Sequence, residues 1–94
     1  MESATNPTYQ ADEEKARAIL SETPLPPELD RVSIKVKNDS DGTLALYLSF
    51  EVKAEAKLER ETIERLSRYI TSIQLRLVGA GMSLFPYASL DQAA

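Results

Sequence analysis

Neither cysteine nor histidine occurs in this 94-residue chain, and tryptophan is missing too. Without cysteine there is no disulfide framework and no thiolate metal ligand. Such a composition suits a reducing compartment, so a cytoplasmic location is expected. Without histidine the commonest general base, the commonest zinc ligand and the usual neutral-pH switch are gone. Glycine occurs only three times, so few backbone positions can take a left-handed conformation cheaply. No apolar run approaches the ~20 residues of a membrane span. No basic start followed by an apolar stretch marks a secretory signal. No membrane association is expected.

What is present reads as globular: 43% hydrophobic and 28% charged residues. The length suits one domain. Net charge is −4, unevenly placed. Residues 1–30 hold seven acids against two bases, and residues 31–94 hold eight acids against nine bases. The acidity therefore belongs to the leading segment. A near-neutral body lacks the concentrated positive field of general nucleic-acid binding.

Residues 1–10 are expected to be a disordered leader. A short helix over Ala11–Ser21 follows, with Asp12, Glu13 and Glu14 at its positive end. Its apolar content is thin: Ala16, Ile19 and Leu20. Whether it docks on the body stays open at this point. Thr23-Pro24-Leu25-Pro26-Pro27 reads as an extended spacer, with a proline-rich ligand as the alternative. Residues 11–29 thus precede a globular body over 30–94.

In the body, Val32, Ile34 and Val36 alternate with Ser33, Lys35 and Lys37, the period of a strand with one wet face. Asn38-Asp39-Ser40-Asp41-Gly42 is a turn. A second strand over Thr43–Lys53 puts Leu44, Leu46, Leu48, Phe50 and Val52 on one face. Together they make a hairpin. Leu58–Val78 reads as an amphipathic helix with Ile63, Leu66, Ile70, Ile73 and Leu77 as its apolar stripe. Leu75 and Val78 widen that arc, and Gly79 and Gly81 end the helix. Leu84–Leu90 is a short third strand that Pro86 confines to an edge or bulge. The expected fold is α+β: a two-layer α/β sandwich, order α-β-β-α-β, with about three strands under the long helix. The second strand is placed centrally and the third beside it in parallel. An order with the first strand central is the alternative. Asp91–Ala94 should fray.

Catalytic and metal motifs fail on inspection. The Asp39–Gly42 turn aligned as a calcium loop puts Lys37 and Leu48 where oxygen ligands are required. Glu51, Glu55, Glu59 and Glu61 fall on exposed positions without a pocket. Ser67, Thr71 and Ser72 have no histidine to activate them. Gly79-Ala80-Gly81 does not open a helix after a strand, so it is no phosphate cradle. No cofactor is expected, and no catalytic or metal residue is named.

Two surfaces remain. Leu75, Val78, Met82, Leu84 and Phe85 exceed what one small sheet face covers, and sheet edges invite pairing. This points to a non-enzymatic protein-interaction module, self-associating or bound to another protein. The alternative is a single-stranded nucleic-acid module using Lys35, Lys37, Tyr47 and Lys53 on the wet face of the hairpin.

Arg31–Val36, the acidic turn ending at Gly42, the helix around Arg65-Leu66-Ser67, and Leu84-Phe85-Pro86-Tyr87 together resemble a set of small uncharacterised bacterial proteins. Those have a charged β-hairpin, an Arg/Leu-rich helix and a final Pro-Tyr-containing strand. The resemblance covers about residues 30–90. Ala88, Ser89 and Leu90 are less charged than in that group. It implies this fold, a bacterial origin and an accessory role, and it carries no functional residues over.

Overall fold

In a computed structural model, residues 7–92 are described. The elements are α1 (Pro7–Glu22), β1 (Leu29–Asn38), β2 (Leu44–Val52), α2 (Arg60–Gly79) and β3 (Pro86–Gln92). The sheet order is β1-β2-β3, with β1–β2 antiparallel and β2–β3 parallel. The fold is therefore the α+β sandwich of order α-β-β-α-β, with β2 central. The alternative order with β1 central is not adopted. Among the described residues no helix is long and apolar enough to cross a membrane.

β2 is central because one of its faces is apolar throughout. Leu46, Leu48, Phe50 and Val52 are buried, and they meet Leu66, Ile70, Ile73 and Leu77 of α2 in one core. The hairpin turn is set by Asp39. Its Oδ1 accepts from the amides of Asp41 (2.9 Å) and Thr43 (3.0 Å), and Gly42 takes φ 83°. The connection from β2 to the parallel β3 runs through α2.

Several boundaries and faces differ from expectation. The described part of helix α1 reaches back to Pro7, inside the expected leader. The rest of that leader, and the end of the fraying tail at 93–94, lie outside the described residues. Asp91, expected to fray, belongs to β3. Ile63 is 41% exposed rather than core: it lies in the first turn of α2, one turn before the buried stripe begins at Leu66. Leu44, next to the hairpin turn at the start of β2, is exposed as well.

Helix α1 docks. Ala16 is fully buried, and Asp12 is 1% exposed. The Asp12 carboxylate accepts from the amides of Ser83 (3.1 Å) and Leu84 (2.7 Å), which anchors the helix to the segment entering β3. The proline segment is fastened as well. Leu25 packs on the core. Arg76 donates to Glu22 (2.8 Å) and to Thr23, and Arg65 grips both carboxylate oxygens of Glu28. That grip holds Glu28 below its ordinary carboxylate pKa and raises Arg65 above its own.

Candidate protein-binding face of the sheet

Both helices pack on one side of the sheet, and its other side faces out. Strand alternation puts Arg31, Ser33, Lys35 and Lys37 of β1 on that side. It does the same for Tyr47, Ser49 and Glu51 of β2 and for Tyr87, Ser89 and Asp91 of β3. The register then aligns them across all three strands: Lys35–Tyr47–Tyr87, Ser33–Ser49–Ser89 and Arg31–Glu51–Asp91. An aromatic rung, a serine rung and a charged rung follow one another, each about 7 Å from the next. All of these side chains except Arg31 line a broad hollow of about 610 Å³.

The rungs are bonded within themselves and to one another. Tyr47 and Tyr87 stack with centroids 5.1 Å apart and planes 19° apart. Lys37 Nζ sits 4.6 Å from the Tyr47 centroid. Phe85 meets Tyr87 edge to face at 4.8 Å. Tyr47 thus lies between a cation and a ring, an arrangement that fixes its orientation. The Tyr87 hydroxyl donates to Asp39 Oδ2 at 3.3 Å. Desolvation, with the negative charge of Asp39 second, pushes the Tyr87 phenol pKa up. In the charged rung Arg31 Nε donates to Glu51 Oε1 (3.0 Å), and Ser33 donates to Glu51 Oε2 (3.2 Å). Ser49 donates to Asp91.

Of the residues expected on the wet face, Lys35, Lys37 and Tyr47 come together here. Lys53 does not: β2 ends at Val52, and Lys53 lies past the strand beside Ala54, Ala56 and Leu58. Sequence reasoning missed Tyr87, Ser89 and Asp91. Their signal was the alternation within Tyr87–Asp91 together with the parallel placement of β3 beside β2.

The expected apolar interaction surface is divided. Leu84 is core, at 9% exposure, and Met82 is half-buried. Val78 and Phe85 are exposed and flank a depression of about 250 Å³. Leu75 is 66% exposed on the opposite side of α2, beside Arg68, Thr71 and Ser72. At 100° per residue it lies roughly opposite the buried stripe, so it does not widen the apolar arc.

No protein family, curated protein or solved structure compared with this chain matches it.

Proposed function

We propose that the chain is a small non-enzymatic protein-interaction module that receives another polypeptide on the outer sheet face, as an accessory protein of a bacterial cytoplasm. The observation that carries this reading is a sheet face that no other described element covers, with tyrosine and serine rungs already held in place. Tyrosine offers large contact area at low entropic cost, and serine offers adaptable hydrogen bonding. Side chains held before binding lose less freedom on binding. A second copy of the chain is one such partner, since symmetric homodimers are the commonest oligomers. The cysteine-free composition supports the cytoplasm, and the resemblance noted above supports the bacterial origin.

Single-stranded nucleic acid is the second reading, supported by Lys35 and Lys37 beside Tyr47. Protein is favoured because the Tyr47 ring is taken up by Lys37 and Tyr87, leaving little free ring for a base. Glu51 and Asp91 on the same face repel phosphate.

Mass in solution by light scattering over a range of concentrations, with a co-purification screen, is the test. Association that disappears in Tyr47→Ala and Tyr87→Ala, both still folded, is the expected result. A strict monomer at high concentration with no co-purifying protein removes the reading. Salt-sensitive binding of mixed single-stranded oligonucleotides would favour the second reading instead.

A further inference from the structure

We infer that the free edge of β1 is a docking site for an extended peptide whose apolar and acidic residues alternate, added to the sheet as a fourth strand. This site lies along the β1 edge and shares Lys35 and Lys37 with the rim of the outer face.

β1 pairs only with β2, so among the described residues its other edge is unoccupied along a ten-residue strand. Such an edge presents a row of unpaired N–H and C=O groups that an extended chain can complete. A strand of this length spans roughly 30 Å. The irregularity between Leu29 and Arg31 bends only its first residues, leaving Arg31 to Asn38 regular.

The two sides of this edge differ in what they ask of a partner. On the inner side Val32, Ile34 and Val36 pack against the core but stay only partly buried. A groove of about 330 Å³ lies between β1 and the α1–linker segment, lined by Leu20, Leu25, Val32 and Ile34 with Arg17 and Ser21. On the outer side β1 carries Arg31, Ser33, Lys35 and Lys37; Arg31 is paired with Glu51 across on β2, so Lys35 and Lys37 carry the charge selection. A strand added here places every second side chain over the groove and the others beside the cations. Opposite charges directly across neighbouring strands are favourable, and like charges are unfavourable. An acidic partner is therefore selected on one side and apolar side chains on the other.

The same charges exclude the obvious competitor. A second β1, paired antiparallel with apolar faces matched, sets Arg31, Lys35 and Lys37 against each other or against Ser33. Lysine on an edge is a common device against such self-pairing.

The test uses the full chain and three fluorescein-labelled peptides of about ten residues, a typical strand length. One alternates valine with glutamate, the second replaces glutamate by lysine, and the third carries a central proline in the acidic peptide. Fluorescence anisotropy gives affinity, and amide chemical shifts locate the contact. The acidic peptide should bind at least about tenfold more tightly than the basic one, and raised salt should narrow that gap. The proline peptide should lose most affinity, because proline cannot donate to the ladder. Shifts should centre on Val32 to Val36, and Lys35→Glu with Lys37→Glu should reverse the charge preference. Ser89→Ala, on β3 at the far edge of the sheet, should leave the peptide affinity in place, which separates this site from the rungs of the outer face. Equal affinity for the two charge types, indifference to proline, no binding, or shifts confined to Tyr47, Ser49 and Tyr87 would each overturn the inference.

Discussion

The two faces of β2 are made by the same nine residues and follow opposite rules. Leu46, Leu48, Phe50 and Val52 point at the helices and are at most 3% exposed. Tyr47, Ser49 and Glu51 point away and stay half-exposed. The inner face holds the domain together, so a change of size or polarity there costs stability. The outer face contributes little to stability, and is therefore free to carry recognition. The sharpest way to break this contrast is a charge on the inner side. Ile70 sits in the core facing β2. Ile70→Asp buries a carboxylate without a partner, in a domain whose total stability is on the order of 5–15 kcal/mol. Circular dichroism should show an unfolded or severely weakened chain. A folded Ile70→Asp variant with unchanged stability contradicts the assigned face.

The next largest effect concerns α1, where the same contrast recurs in weaker form. Its apolar residues are few, and a buried carboxylate does part of the anchoring. Asp12→Ala leaves the buried Leu84 amide without its acceptor, which costs about 1–3 kcal/mol. The urea midpoint should fall, and hydrogen exchange at Leu84 should accelerate. Unchanged exchange there would mean that α1 is held by Ala16 and its apolar neighbours alone.

How much of this was legible beforehand follows from how local each signal is. The stripe of α2 was readable because Leu66, Ile70, Ile73 and Leu77 keep helical spacing without interruption. Ile63 obeys the same spacing and fails, because spacing does not say where the sheet ends. β2 was readable, and its central position with it, since a strand that is apolar along one face needs cover. β3 was placed correctly, but its outward residues were not joined to the hairpin's. Ser89 and Asp91 acquire meaning only through the register with Ser49 and Glu51. Leu84 looked like surplus apolar surface, and it proved to be core. Nothing near Asp12 announces its burial, because its partners lie at Ser83 and Leu84, at the far end of the chain. The outer face was thus visible in the hairpin, through Ser33, Lys35, Lys37, Tyr47, Ser49 and Glu51, and not in β3.

The linker offers a smaller, pH-dependent test. Glu28 is held below its ordinary pKa by the Arg65 guanidinium. A carboxylate with a depressed folded-state pKa stabilises the fold above its unfolded value, about 4.3. That contribution disappears as pH falls through the folded value. The stability difference between the native chain and Glu28→Gln should therefore be present at neutral pH and shrink in acid. Urea midpoints at both pH values measure it. A difference that persists unchanged well below the carboxylate range would mean that Glu28 acts through packing and not through its charge.

The smallest effect is expected at Leu75, and it separates the faces of α2 as the first test separates those of β2. Leu75 belongs to the apolar surplus that first suggested an interface. Yet it lies on the side of the helix away from the sheet, beside Arg68, Thr71 and Ser72. Glutamine is a good helix former, and an exposed surface change usually stays within about 0.5 kcal/mol. Leu75→Gln should leave the urea midpoint, the solution mass and any partner binding unchanged. Tyr47→Ala should abolish association while the fold persists. The reverse pattern, association lost in Leu75→Gln and kept in Tyr47→Ala, would move the interface to the outer side of α2. A single exposed leucine would then matter more than the rungs aligned across three strands.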